Sequence, residues 1–258
     1  MLPSWFKKRR RERVASAGLD EEWRDRAHQL CWQYPRLDPV EQRRLEELAA
    51  VFIAEKKWEG CGGFEVDDVV KQTIASQVAL MTLGFDDEHF DSTMSVLVYP
   101  DAYVARDYLA VDDHSVLEFD TARLGEAWRR GPVVLSWPNV EAAGRGPNSG
   151  ISLVHHEFAH QLDNLSDEAN GLPPMPSHEA ARSWLTTSRN ARKRLSRELR
   201  SGVDAPLDEY ATTNATEFFA VATEAFFQTP RLLKRWDGEL FTQFVGFFRQ
   251  DPMRWADR

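Results

Sequence analysis

The first third of the chain repeats apolar residues at the spacing of an α-helix. In LDPVEQRRLEELAAVFIAEKKWEG, apolar residues recur every three or four positions, and charged residues occupy the other face. VDDVVKQTIASQVALMTLG repeats this pattern and ends at a glycine, while EGCGG interrupts the chain between the two segments. The pattern predicts an N-terminal helical layer over residues 20–90.

Residues 94–137 follow a different pattern. MSVLVYP, SVLEFD and GPVVLSWP are short, rich in Val and Leu, and bounded by Pro, Gly or Asp, which is typical of strands. The next segment, NVEAAGRGPNSG, is rich in turn-forming residues and predicts a loop. We therefore expect a small mixed sheet, followed by a loop that leads into the next helix.

The remaining chain returns to helical spacing. SLVHHEFAHQLDN, HEAARSWLTTSRNARKRLSRELR, NATEFFAVATEAFFQTP and RLLKRWDGELFTQFVGFFRQ each predict a helix, and NLSDEANGLPPMPS predicts a loop. The fold class is thus α+β and mostly helical. We predict a core over residues 91–258, either separate from the helical layer or forming one compact unit with it.

Composition indicates an ordinary globular protein. The chain has 258 residues, 42% hydrophobic and 28% charged, with a formal net charge of −9. A negative charge argues against direct nucleic-acid binding, which requires a positive field. Residues 1–19 include the basic run Lys7–Arg13, which is expected to be a flexible, solvated tail.

The cellular location is predicted from three features. The basic run follows a very short apolar start, the reverse of a secretory signal, and no apolar stretch is long enough to span a membrane. Cys31 and Cys61 lie in dissimilar segments and cannot build a disulfide framework. We predict a soluble, cytoplasmic protein with free thiols.

The candidate chemistry lies in SLVHHEFAHQLDN. His156 and His160 are four residues apart, so a helix presents both imidazoles on one face to a single ion. Glu157 lies about 100° around the helix, outside the ligand positions but within reach of a water molecule. His155 also lies off this face, where support of a ligand from the outer shell, or packing, is expected and not ligation. The alternative is that the histidines merely fill a core.

A catalytic metal site needs a third protein ligand. Four downstream glutamates are candidates: Glu179, Glu209, Glu217 and Glu224. Glu217 opens the apolar run EFFAVATEAFF, where an unpaired inward-facing carboxylate is costly. The alternative is a structural capping box with Asn214. Glu224 lies two turns further along, too far to share one ion with Glu217, and could hydrogen-bond a ligand histidine.

Two more residues are candidates for supporting roles. Asp163 lies on the helix face that carries His156 and His160, where it could accept a proton from a histidine; the alternative is an ordinary helix-end aspartate. Tyr210 precedes Glu217 by seven residues and could stabilise a developing oxyanion, or could be a buried structural tyrosine.

The sequence resembles the Mlc titration factor A family of zinc peptidases. The resemblance covers residues 50–230 and rests on motifs in the expected order: AEKKWEGCGGFEV, VLVYPDAYV, GPVVLSWPNVEAAGR, HEFAHQLD with the following NG, and LDEYATTNATEFFAVATEAFF. The family is similar in its catalytic core to lethal-factor-type peptidases. The resemblance therefore implies a zincin-like core.

The resemblance also implies a role for each site residue. His156, His160 and Glu217 would bind one Zn²⁺ per chain, Glu157 would be the general base, and Tyr210 would donate a hydrogen bond in the transition state. The sequence departs from the family at Ala215–Thr216, where Pro-Ala is expected before the ligand glutamate.

The same resemblance also implies a function. Family members are implied to cleave peptides with aminopeptidase-like activity, and to bind the transcriptional repressor Mlc, which links them to sugar uptake. The alternative is a regulatory binding protein that sequesters a transcription factor, without catalysis or with conditional catalysis.

Overall fold

The computed structural model describes residues 4–86, 90–100, 131–147, 150–166 and 170–256. The chain divides into two compact units, Met1–Arg145 and Gly146–Arg258. The sequence predicts a helical layer over residues 20–90 that is separate from the core or forms one compact unit with it, and this stays a prediction. Two of the described strands follow residue 90, and all three pair with one another inside the first unit. The α+β, mostly helical fold class is confirmed.

The helices of the first unit begin where the sequence offers caps. Asp38 caps one helix start and exchanges hydrogen bonds with Glu41 in a complete capping box, and Asp20 and Asp67 cap two others. In the described part of this unit the helices are α1 (Ser4–Ala17), α2 (Glu21–Leu30), α3 (Pro39–Glu55), α4 (Asp68–Thr82) and α5 (Trp137–Arg145), with a 3₁₀ turn at Tyr34–Arg36. Together, α2 to α4 form the predicted helical layer.

A three-stranded sheet completes the first unit. Its strands β1 (Lys57–Gly60), β2 (Ser95–Tyr99) and β3 (Val133–Ser136) are paired in that order. Both pairings are parallel, with Val96 opposite Trp58 and Val133, so the described strands do not form the mixed sheet that we expected. The sequence predicts β2 and β3 but assigns β1 to the preceding helix. SVLEFD lies outside the described residues.

The N-terminal segment is helical, although the sequence predicts a flexible tail. Helix α1 packs against α3 and is held there by charge. The Arg11 guanidinium contacts the Glu55 carboxylate at 2.7 Å and also pairs with Asp91, and Lys7 lies 2.7 Å from Asp91. Glu55 is the last residue of α3, and Asp91 lies between α4 and β2. Both are far from α1 in the sequence, so local patterns do not predict these contacts.

Helix α5 occupies most of a segment that the sequence predicts as a loop. Gly144, one of the turn-forming residues of this segment, is a point of close approach. A Cβ atom at Gly144 would lie 2.2 Å from the carbonyl oxygen of Leu30, and the Gly144 carbonyl accepts the Trp32 N–H at 2.9 Å. Only glycine therefore fits this helix crossing.

The second unit is helical throughout its regular structure. The described helices are α6 (Leu153–Asp163), α7 (His178–Arg200), α8 (Ala215–Gln228), α9 (Pro230–Trp236), α10 (Gly238–Phe248) and α11 (Met253–Ala256), with a 3₁₀ turn at Glu209–Thr212. The sequence predicts a helix in each of the four long segments. This is confirmed for the first three, whereas the last segment forms two helices, α9 and α10, separated at Asp237. In the part of the chain that the structure covers, no helix is long and apolar enough to cross a bilayer.

Helix α8 is the centre of the second unit. Every residue from Phe218 to Gln228 is buried. Phe226 stacks on Phe244 and Phe248 of α10, with ring centroids 5.3 and 5.5 Å apart, and Phe219 packs edge-on against Trp184 of α7. Helix α6 packs directly against α8, so this aromatic core fixes the two helices that carry the candidate site.

Candidate metal centre

Helix α6 brings two histidines together. Ser152 caps the helix start, and the segment that follows is buried apart from the edge that carries His156 and His160. The Nε2 atoms of these two residues lie 3.1 Å apart. This is the arrangement that i, i+4 spacing requires on a helix.

Glu217 reaches the same point from the first turn of α8. Its Oε2 atom lies 3.2 Å from Nε2 of His156 and 3.4 Å from Nε2 of His160. The backbone N–H of Glu217 donates to Asn214 Oδ1 at 2.8 Å, so Asn214 does cap this helix. The two interpretations of Glu217 are compatible, because the cap uses its backbone and leaves its carboxylate for the histidines.

The three side chains form a cluster that could hold a metal ion. Their ligand atoms all lie within 4.8 Å of one another. Glu217 Oε2 is buried and accepts no hydrogen bond of acceptable geometry, despite two ring nitrogens nearby. A carboxylate oxygen and two imidazole nitrogens that converge on one point are suitable ligands for a cation, so the residues fit a metal.

Glu224 orients the first histidine from behind. Its Oε1 atom lies 2.8 Å from His156 Nδ1, and its Oε2 accepts the Ser152 N–H at 2.6 Å. A proton on Nδ1 leaves the Nε2 lone pair facing Glu217 and His160. The geometry agrees with the expectation that Glu224 supports a ligand histidine and does not itself join the cluster.

The electrostatics of the cluster favour a positive charge at its centre. Burial alone would lower the pKa of His156, but its interactions with Glu217 and Glu224 outweigh it and raise this pKa to about 10. Burial likewise raises the pKa of Glu217, but its interactions with both histidines bring it down to about 2. A proton and a metal ion would therefore compete for the same position.

Glu157 is a buried carboxylate beside the cluster. Only 8% of the residue is exposed, and its Oε1 atom has no hydrogen-bond partner. Burial raises the pKa of Glu157, and the nearby His156 and His160 offset part of the increase. A carboxylate that is held ready to accept a proton in this way suits a general base.

Tyr210 is not the buried structural tyrosine that spacing alone allows. The residue is 48% exposed, and its ring centroid lies 6.1 Å from that of His156. Its backbone N–H donates to Asp208 Oδ1 at 2.8 Å, which fixes the 3₁₀ turn. The ring thus lies beside the cluster and is partly open to solvent.

Asp163 makes a different contact from the one that we considered. The side chain is fully buried, and its Oδ2 accepts the Gly171 N–H at 2.9 Å instead of a histidine proton. Gly171 has φ +74°, and a Cβ atom there would lie 2.3 Å from the carbonyl oxygen of Ala215. Asp163 therefore links the end of α6 to the loop that supports the start of α8.

The remaining sequence candidates lie elsewhere. Glu179 and Glu209 are exposed and do not join the cluster. His155 is fully buried against Phe227, with ring centroids 4.8 Å apart, which fits a packing role. Sequence reasoning did not identify Ser152 or Gly171, because their contacts with Glu224 and Ala215 join distant segments.

Comparison with known proteins supports the metal centre. Residues 5–249 match the family described as glucose-regulated metallo-peptidase M90. Mlc titration factor A of Klebsiella pneumoniae (strain 342) is 34% identical over 221 residues, which cover 84% of this chain and 82% of that protein. Mlc titration factor A of Escherichia coli (strain SMS-3-5 / SECEC) is 32% identical over 240 residues, covering 88% and 89%.

A protein from a third organism is also similar to this chain. An uncharacterized protein of Synechocystis is 31% identical over 221 residues, covering 85% of this chain and 80% of its own length. The resemblance seen in the sequence motifs is therefore confirmed over most of the chain. This chain belongs to the glucose-regulated metallo-peptidase M90 family.

Proposed function

We propose that this protein is a zinc-dependent peptidase with one Zn²⁺ bound by His156, His160 and Glu217. The observation that carries the proposal is the spacing of the three ligand atoms, 3.1, 3.2 and 3.4 Å. Ligands about 2.0–2.1 Å from a tetrahedral zinc ion are separated by about 3.3 Å. Three protein ligands leave a fourth position for catalysis, whereas a structural zinc site uses four.

Glu157 would act as the general base. Zinc held by these ligands supplies a Lewis acid for the scissile carbonyl and for the attacking water. Glu157 accepts the proton of that water and transfers it to the departing amine, a role consistent with its buried carboxylate and raised pKa. Its unpaired Oε1 atom is available for this proton.

Tyr210 would stabilise the charge that develops on the carbonyl oxygen. Its exposed ring beside His156 can carry the hydroxyl to a bound substrate. A preorganised donor of this kind acts mainly in the transition state. Glu224 would keep His156 in the tautomer that leaves Nε2 free, and so acts through the histidine.

Peptides are the proposed substrates. The description of the matched family as a metallo-peptidase supports this class. Aminopeptidase-like cleavage is the finer part of the proposal, and aminoacyl and internally cleavable peptides would distinguish it from endopeptidase action. A cytoplasmic location is also proposed, and the free thiols Cys31 and Cys61 are consistent with a reducing compartment.

The test combines metal content and hydrolysis on the same samples. We expect one zinc per chain in the wild type and in Glu157→Gln, with hydrolysis lowered roughly 100- to 10,000-fold in the variant. Glu179→Gln is the matched control, because it neutralises an exposed glutamate in the same unit. It should retain both zinc and activity.

Other outcomes would reject defined parts of the proposal. Normal turnover by Glu157→Gln would remove the general base. Wild-type protein that binds no zinc under metal-replete conditions would remove the metal centre. Zinc in both proteins without hydrolysis by either, across the peptide panel, would reject the peptidase assignment and favour a binding role.

A regulatory role is the second candidate. It is favoured by the name Mlc titration factor A, which two of the similar proteins carry. We propose that this chain, too, binds a repressor of the Mlc type. Isothermal titration calorimetry of purified Mlc with the wild type and with Glu157→Gln tests the proposal. Equal affinity for both proteins would indicate binding that is independent of catalysis, and no binding would contradict this role.

A further inference from the structure

Helix α1 exposes two large aromatic side chains at its first turn. Trp5 is 51% exposed and Phe6 is 53% exposed. Their ring centroids lie 4.7 Å apart in an edge-to-face arrangement, and the Arg9 guanidinium covers the Trp5 ring at 4.2 Å. Neither the fold nor the candidate metal centre uses this pair.

The aromatic pair is followed by a block of exposed cations. Residues 4–17 carry six basic side chains and one acidic, a net charge of +5, whereas the rest of the chain carries −14. The exposed members of the block are Lys8, Arg9, Arg10 and Arg13. Helix α7 also carries a net charge of +5, from seven basic and two acidic side chains, but in α1 the cations directly follow two exposed aromatic residues.

The opposite face of α1 is fixed to the first unit. Arg11 and Lys7 make the ion pairs with Glu55 and Asp91 described above. Arg10 is exposed but also donates from Nη2 to the Ala54 carbonyl at 3.1 Å. The exposed face is therefore already formed before any partner arrives. A preformed surface avoids the entropy cost of ordering a tail on binding.

We propose that α1 docks the protein on the surface of an anionic lipid bilayer. Trp5 and Phe6 would enter the headgroup region, where aromatic side chains are favoured, and the cations behind them would meet lipid phosphates. Both signals are needed, because a basic patch alone or a single small apolar anchor gives marginal membrane binding. The attachment is peripheral and does not involve a membrane-spanning segment.

The same features fit a polynucleotide less well. Bases bind aromatic side chains by stacking on an open ring face. One face of Trp5 is covered by Arg9, and its ring packs edge-to-face against Phe6, so the pair offers apolar bulk instead of a stacking platform.

Vesicle co-sedimentation of the full chain tests the proposal. The vesicles are phosphatidylcholine alone, or phosphatidylcholine with one quarter phosphatidylglycerol. We expect binding only to the anionic vesicles, and weaker binding at high salt. The double variant Trp5→Ser/Phe6→Ser should bind roughly tenfold more weakly. Arg9→Gln/Arg13→Gln should bind roughly 25-fold more weakly, at about fivefold for each cation.

The matched control removes two exposed cations elsewhere. Arg189→Gln/Lys193→Gln changes the outer face of α7 by the same charge and should bind as the wild type does. All substituted side chains are exposed, so we expect the variants to fold. Unchanged circular dichroism spectra and unfolding midpoints would verify this. Equal binding by the aromatic variant, or an equal loss in the α7 control, would overturn the proposal. Binding to single-stranded DNA but not to vesicles would also overturn it and identify a polynucleotide surface.

Discussion

The Nδ1 atom of His156 lies 2.8 Å from the Oε1 atom of Glu224, two turns beyond Glu217 on the same helix. One helix thus provides both a carboxylate in the cluster and a carboxylate behind it. The second oxygen of Glu224 accepts the N–H of Ser152, the cap of α6. Glu224 therefore fixes where α6 begins and how its first candidate ligand is turned.

Glu224→Gln is expected to weaken zinc binding by roughly 10- to 100-fold, because an amide holds the imidazole and the Ser152 N–H less strongly than a carboxylate does. Glu217→Gln should weaken it further, since it alters a proposed ligand. Competition with a chromophoric chelator measures both affinities. The reverse order would mean that the roles of the two glutamates are exchanged.

Tyr210→Phe is expected to lower kcat by on the order of 100-fold while leaving zinc content unchanged, because only the hydroxyl is lost. The phenylalanine keeps the ring beside His156. Metal analysis and steady-state kinetics on one preparation provide the test. Loss of zinc from this variant would show that the residue supports the metal centre instead of the transition state.

Gly171→Ala is expected to destabilise the protein by about 2–4 kcal/mol. Its φ of +74° is unfavourable for alanine, and the new Cβ would lie 2.3 Å from the backbone oxygen of Ala215. Because Ala215 begins the helix that carries Glu217, weaker zinc binding should accompany the loss. Denaturant unfolding and chelator competition measure the two effects.

Gly202→Ala is the matched control for this prediction. Gly202 has a similar φ of +70°, but a Cβ atom at that position would have no neighbour within 4 Å. The expected cost is about 1 kcal/mol, from backbone conformation alone, with zinc affinity unchanged. Equal costs at the two glycines would mean that the contact with Ala215 does not matter.

The buried side chain of Lys56, in the first unit, predicts that the free energy of unfolding depends on pH. Burial lowers the pKa of Lys56 to about 8, and its Nζ donates to the Phe90 carbonyl at 2.6 Å. Between pH 8 and the unfolded value of 10.5, the unfolded chain holds a proton that the folded chain has released. The contribution of Lys56 to the free energy of unfolding therefore rises with pH, by about 3 kcal/mol in total.

Lys56→Met should remove this rise, so the wild type should gain stability relative to the variant as pH increases through this range. Urea unfolding at a series of pH values measures the difference. Lys57→Met, at the exposed neighbouring position, controls for the loss of a lysine from the same segment. A constant difference between wild type and Lys56→Met would contradict the prediction.

Local patterns predicted much of the fold and the central part of the site. The helical segments follow from apolar spacing and caps, and His156 and His160 share one face of α6 because four residues are close to one helical turn. Strand β1 was missed because its four residues, KWEG, have no apolar alternation. Its place in the sheet depends on β2, which lies far along the chain.

Long-range contacts account for what the sequence did not predict. Asp163 lies on the expected helix face, yet its partner is the backbone of Gly171. The order in α1 depends on Glu55 and Asp91, which no local pattern connects with a basic segment. A basic segment predicts a tail, and a glycine predicts a turn, only as long as their contacts with distant residues are unknown.

The cluster joins two helices that are far apart in the chain. His160 lies on α6 and Glu217 lies on α8. The residues between them, 161–216, include all of α7. An ion held between them would act as a reversible crosslink that closes a long loop and so restricts the unfolded chain. Resistance of the second unit to proteolysis would then vary with the free metal concentration around it, which makes the lifetime of the protein a readout of metal supply.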